Sequence, residues 1–359
     1  MLGDQLTLFA KDLEVLDSVR LPSGLCHAAP GANYDRIWIR DNCYTGLAFW
    51  HAGETKKAIR VFQGLMKIMD RYSWKIDWIL WEGKPDESYK RVHPRYDSNG
   101  FEIPEPWGFI QNDSIGLLLW CVAWLEAKGA KLLTERNVHL VQKLVWYLSA
   151  VRYWEDSDNG VWEEVSEIHS SSVGCCIAGL KAHQSRVMVK DDAIGQGERI
   201  LEALHGRESF NRHADLAQLT LVWPLGSPHE ETVRLVEREL LREKGVIRYL
   251  GDEYEALAGE PEWTMGLPWL GLAWLSLGDR EKAHHYLEWT DRVRLPNGLL
   301  PESYLPKSTS RTRRRFEPCP HTPLAWAHSL ALILRQSLHQ PDPKETRQET
   351  LAASVELSS

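Results

Sequence analysis

Residues 49–58 read FWHAGETKKA, and residues 273–283 read AWLSLGDREKA. In both, a tryptophan-bearing apolar run meets a glycine, then an acidic residue, then a lysine-rich segment. Glycine tolerates the left-handed conformation that ends a helix. An acidic residue suits the positive end of the next one. Each stretch therefore reads as the joint of a helical hairpin, with an apolar first helix and a charged second.

Working outward, helical periodicity accounts for most of the chain. The spacing predicts about twelve helices, near 4–16, 42–52, 54–72, 113–128, 136–155, 170–184, 191–205, 214–222, 228–243, 264–277, 279–292 and 323–338. No 34-residue period runs through them, which excludes a tetratricopeptide array. Twelve helices alternating inner and outer close into a toroid, so the expected fold class is all-α, an (α/α)6 barrel. Inner helices of such a ring can be apolar all round, as 113–125 and 264–277 nearly are. No Gly/Ser/Pro linker divides the chain. Residues 1–339 are expected to form one domain, and 340–359 a polar, disordered tail.

The 359 residues carry 42 basic and 50 acidic side chains, a formal charge of −8, which argues against a nucleic-acid partner. A basic run, RTRRR, stands at 311–315; it reads as a solvated loop, a phosphate or partner contact, or part of a pocket rim. No apolar stretch is long enough to span a bilayer, and no cleavable leader is visible. The six cysteines form no CxxC pair, which fits thiols in a reducing compartment and an expected cytoplasmic location. No HExxH or calcium-loop pattern occurs, so neither metal nor cofactor is expected.

Long connections at 73–112, 156–169, 244–263 and 293–322 hold the candidate chemistry, because connections of that length in a compact domain are usually functional. DSDNGVWEEVSE (156–167) places Glu163 and Glu164 after Trp162. A carboxyl beside an indole and a second carboxylate resists ionisation, as a general acid must; a solvated acidic loop is the alternative. LPNGLLPESYLP (295–306) sets Glu302 in an apolar stretch, where it needs a partner or a task. RIWIRDN (36–42) alternates like a strand for six residues, and Asp41-Asn42 then gives an N-cap signal. It presents Trp38, Arg40 and Asp41 together. PWGFIQND (106–113) and KGVIRYLGDEY (244–254) add Trp107, Arg248 and Asp252. The 17 tryptophans, several outside helix cores, suit the C–H face of a sugar ring. Cations and carboxylates suit its hydroxyls, while surface ion pairs remain the simpler reading of each alone.

Taken in order, YDRIWIRD (34–41), WGFIQND (107–113), GVWEEV (160–165), HSSSVG (169–174), IRYLGDEY (247–254), LPW (267–269) and GLLPES (298–303) resemble glycoside hydrolase family 15 over roughly residues 30–335. That family includes glucoamylases, bacterial α-glucosidases and isomaltose-hydrolysing enzymes. SSVG, followed by a small-residue helix, resembles the phosphorylase kinase α/β branch. The resemblance implies an inverting exo-hydrolase that releases glucose from the non-reducing end of short α-gluco-oligosaccharides. It implies Glu163 as general acid and Glu302 as general base. Arg40 and Asp41 would grip the terminal glucose. Trp38, Trp107, Glu164, Arg248 and Trp269 would line the sugar site, with Tyr34 contributing a hydroxyl.

The N-terminal β-sandwich and starch-binding module of some relatives find no counterpart here. Granular starch is thus not the expected substrate, and disaccharides of the isomaltose or maltose type are. Two other readings stay open: a catalytically silent toroid that binds glycan or a partner subunit, and a helical scaffold whose long loops do not converge.

Overall fold

The computed structural model describes residues 2–31, 33–105, 107–190, 192–307 and 315–340. Six helices form an inner ring: α2 (Ile39–His51), α5 (Asn112–Ala127), α7 (Ser170–His183), α9 (Leu219–Val222), α11 (Gly266–Ser276) and α13 (Ala325–His339). Each packs on the next in that order, and α13 packs back on α2, which closes the ring. Outside lie α1 (Leu2–Ser18), α3 (Thr55–Arg71), α6 (Glu135–Ala150), α8 (Ala193–Leu204), α10 (Glu230–Leu240) and α12 (Arg280–Arg292). The all-α toroid expected from the sequence is therefore the observed fold.

Residue choice explains the two layers. Every residue of α2 from Ile39 to Phe49 is buried, because neighbours surround it on all sides. In α3 the buried residues are Ala58, Val61, Phe62, Leu65, Met66, Ile68 and Met69, a single stripe at helical spacing. The two hairpin joints turn at Gly53 and Gly278, both with positive φ. Inner helices α5 and α7 approach so closely that a Cβ on Gly116 would stand 2.4 Å from the backbone of Cys175. Only glycine fits there. All six cysteines are free and buried, and no described helix is long and apolar enough to cross a membrane.

Three local expectations are corrected. RIWIRDN is extended only at β1 (Ile37–Trp38), which pairs with β2 (Arg95–Tyr96). The helix begins at Ile39, so Asp41 and Asn42 lie in its first turn rather than at its cap. Asn42 is buried and bonds the backbone of Cys26 and Trp38 instead. The connection 73–112 contains a further helix, α4 (Ser73–Glu82), packed on α6. Its Trp74, Trp78 and Trp81 face outward, so its apolar pattern does not follow its buried face. Finally, 214–222 is a short 3-10 turn (Leu216–Gln218) plus the single-turn α9. Pro224 stands just beyond it.

A small antiparallel sheet, β3 (Glu262–Trp263), β4 (Ser303–Pro306) and β5 (Phe316–Pro318), borders one end of the ring. The expected tail and residues 311–314 of the basic run lie outside the described residues.

Candidate active site

The long connections do converge. They enter at the N-terminal ends of the inner helices and enclose a cavity of about 210 Å³. Arg40 and Asp41 reach it from the first turn of α2. Val161, Trp162, Glu163 and Glu164 reach it from the loop before α7. Arg248, Trp263 and Met265 precede α11, and Trp326 opens α13. Tyr34, Trp38, Trp107, Tyr254 and Glu302 also line it. A larger hollow of about 780 Å³, bordered by α7, α8 and α10, holds none of the expected site residues.

Glu163 is held in an unusual backbone state, with φ of 65°. Left-handed backbone at a non-glycine residue costs on the order of 1–3 kcal/mol and persists where surrounding structure imposes it. Here the loop is tightly seated: a Cβ on Gly108 would come 2.8 Å from the Glu163 carbonyl oxygen. The carboxylate meets four donors. Its Oε1 accepts from the indole N–H of Trp38 (2.6 Å) and the amide of Gln111 (2.9 Å), with an Arg40 nitrogen at 3.6 Å. Its Oε2 accepts from the indole of Trp107.

Glu164 turns the other way. It accepts from Arg248 Nη2 at 2.5 Å and from the Tyr249 hydroxyl. Arg248 is also bidentate to Asp252, through Nε at 2.7 Å and Nη2 at 2.6 Å.

Glu302 lies just before β4. Its Oε1 accepts from the Tyr34 hydroxyl at 2.7 Å, and the Cys319 thiol stands 3.7 Å from its other oxygen. Burial pushes its pKa up to about 8. The Tyr34 hydrogen bond and the charge of Arg248 oppose that rise, while Glu255 adds to it. Tyr34 itself stacks on His321, with ring centroids 3.8 Å apart. Tyr34 and Trp38, which hold the two carboxylates, lie with ring centroids 5.6 Å apart.

Arg40 serves mainly as a brace. It donates to Asp113 (2.8 Å), Gln111 (3.0 Å) and the Val161 carbonyl (2.7 Å), which ties α2 to α5 and to the loop carrying Glu163. Burial raises the pKa of the neighbouring Asp41 to about 7 against the pull of Arg40. Three donors among the wall residues have no hydrogen-bond partner among the described residues: Arg40 Nε, Trp263 Nε1 and Trp326 Nε1. Buried donors are seldom left unpaired, and a polyhydroxylated ligand offers acceptors for them.

Nine of the ten expected site residues therefore line one cavity, and Trp269 does not. It is fully buried, donates its indole N–H to the Trp223 carbonyl, and stands behind Trp326 at 5.3 Å between centroids. Trp326 occupies the wall in its place. The sequence reading missed Trp326, Trp263 and Tyr254, and also Gln111 as a partner of Glu163. The amide of WGFIQND was visible, but nothing in the motif indicated its partner.

The family model described as "Glycosyl hydrolases family 15" matches residues 15–192. The mouse skeletal-muscle phosphorylase b kinase regulatory subunit alpha is 26% identical over 78% of this chain and 28% of its own length. The probable Caenorhabditis elegans counterpart is 24% identical over 83% and 30%. The chain thus spans under a third of these curated relatives. A structure titled "Glycosidase Wild Type" superposes with a TM-score of 0.78 at 24% identity, covering 94% of this chain and 97% of that one. A bacterial glucoamylase complexed with acarbose gives 0.65 at 14% identity, over 92% and 55%.

Proposed function

From a chain that carries glycosyl hydrolase family 15 sequence over residues 15–192 and the glucoamylase-type toroid throughout, we propose an inverting exo-acting α-glucoside hydrolase. It would release glucose from the non-reducing end of short oligosaccharides of the isomaltose or maltose type. The observation that carries this reading is that Glu163 and Glu302, 139 residues apart in sequence, line one small cavity walled by indoles and unpaired donors.

Glu163, protonated, donates to the glycosidic oxygen as the bond breaks. Glu302, ionised, takes a proton from a water on the opposite face of the ring, and that water's oxygen bonds to the anomeric carbon. Inverting pairs leave space for this water, typically about 6.5–9.5 Å between carboxyl groups. Among the described residues Glu302 has one strong hydrogen-bond donor, the Tyr34 hydroxyl. A water seated beside it in the substrate complex supplies a second and favours its ionised form. Asp41 and Arg40 Nε face the hydroxyls of the terminal hexose, and Glu164 with Arg248 takes the neighbouring ring.

A second reading, a regulatory toroid that binds glycan without hydrolysing it, is favoured by the relatives named as kinase regulatory subunits. One experiment separates the two. The purified chain is incubated with maltose, isomaltose and trehalose while the anomer of the freed glucose is followed by NMR. Initial β-glucose from the non-reducing residue of maltose or isomaltose, or equal α and β anomers from trehalose, supports the hydrolase. Binding without turnover supports the regulatory toroid, and release of the non-reducing residue of maltose or isomaltose as α-glucose refutes inversion.

A further inference from the structure

Arg95 sits on β2 directly opposite Trp38 on β1. It is only 2% exposed, yet its Nε and Nη2 meet no hydrogen-bond acceptor among the described residues. Its one carboxylate ion-pair partner among the described residues is Glu105, 3.6 Å away, too far for a hydrogen bond and on a side chain that is itself 57% exposed. What the guanidinium does touch is aromatic: it lies 4.0 Å from the ring centroid of Trp107 and 5.6 Å from that of Trp38. Those are the two indoles whose N–H groups hold the two oxygens of Glu163.

A buried cation whose carboxylate partner is solvent-exposed and not hydrogen-bonded costs stability, and attraction to two ring faces offsets that only in part. The same contact has a chemical consequence. A cation on the face of an indole draws electron density from the ring and makes its N–H a stronger donor. It also clamps the ring. Trp107 needs such a clamp, since 44% of its surface is exposed at the cavity mouth. Arg95 is not among the cavity-lining residues, so it acts through the tryptophans rather than on substrate.

We propose that Arg95 is a positioning residue for Glu163, locking Trp38 and Trp107 so that their N–H groups aim the acid at the leaving oxygen, at a cost in fold stability. This rests on the hydrolase reading above, and the test keeps the two separable. Arg95→Met and Arg95→Lys are compared with the native chain on a disaccharide and on α-glucosyl fluoride, with the melting temperature measured for each. Fluoride departs without a proton from the enzyme, so its hydrolysis does not depend on the aim of Glu163.

The expected result for Arg95→Met is a kcat lower by about 10-fold or more on the disaccharide, a fraction of the whole general-acid contribution. Its rate on the fluoride stays within about twofold, its KM changes little, and it melts no lower than the native chain. Arg95→Lys keeps the charge and recovers part of the disaccharide rate. Equal losses on both substrates, or a lowered melting temperature, would show a merely structural role and overturn the proposal. So would an unchanged disaccharide rate. A native chain that cleaves neither substrate removes the hydrolase reading, and this inference with it.

Discussion

At the scale of single residues, the left-handed backbone of Glu163 separates two adjacent carboxylates with different tasks. Glu163 is directed to Trp38, Gln111 and Trp107, while Glu164 is directed to Arg248 and Tyr249. Glu163→Gln and Glu302→Gln are each expected to lower kcat by roughly 10²–10⁴ on a disaccharide. Glucose binding should persist, because the amides keep the shape and most of the hydrogen bonds; near-native turnover by either purified variant would remove its assignment. The environment of Glu302 adds a pH signature. Its pKa is raised to about 8, chiefly by burial, and a base acts only when ionised. The free-enzyme rate, kcat/KM, should therefore climb with pH well above the usual carboxylate range. Tyr34 donates to the ionised form, so Tyr34→Phe should move that rise to still higher pH as well as slow the reaction. A rise near pH 4.5, or one that Tyr34→Phe leaves in place, contradicts this role for Glu302.

At the scale of elements, the strand that presents Glu302 is tied to the first helix. Asp12 of α1 accepts from Arg294 at 2.7 and 2.9 Å and from Nδ1 of His328 in α13 at 2.6 Å. The other ring nitrogen of His328 accepts from the Leu300 backbone N–H at 2.9 Å, two residues before the proposed base. That partner requires a neutral ring with its proton on Nδ1, and burial lowers the His328 pKa accordingly. Burial also works against the charge of Asp12, but Arg294 and His328 outweigh it and hold its pKa below the usual value. Without the Asp12 charge, Arg294 keeps Asp291 at 3.2 Å and the Gly298 carbonyl at 2.9 Å, but loses its bidentate partner. Asp12→Asn should cost about 1–3 kcal/mol in denaturant unfolding and reduce activity through the loosened Leu300–Glu302 segment. Native stability in this variant would mean that the clasp is ornamental. The pH sign is also fixed: stability from Asp12 is present above the ordinary carboxylate pKa and fades as acid protonates it.

At the scale of the whole molecule, function follows from closure of the ring. Because inner helices run in parallel sense, their N-terminal ends gather at one rim, and the connections entering them bring distant motifs together. Residues 34–41, 107–113, 160–165, 247–254 and 298–303 meet in one cavity for that reason. The long, aromatic connections were legible as functional because a compact domain gives few other reasons for them. The convergence of Arg40, Glu163 and Glu302 on one cavity also sets aside the scaffold reading, in which the loops stay apart.

The linear order of residues by itself determined the class of fold and the chemistry available. Fully apolar helices alternating with striped ones at glycine joints have no better burial than a double ring, and short motifs carry their acids and cations regardless of context. It could not say which tryptophan faces the cavity. A helix buried on all sides has no polar face to reveal its rotation, so Trp269 and Trp326 look alike until packing places one behind the other. Nor could it show the donors around Glu163 or the clasp behind Glu302. Those partners lie tens to hundreds of residues away, and only the closed ring brings them within hydrogen-bond distance.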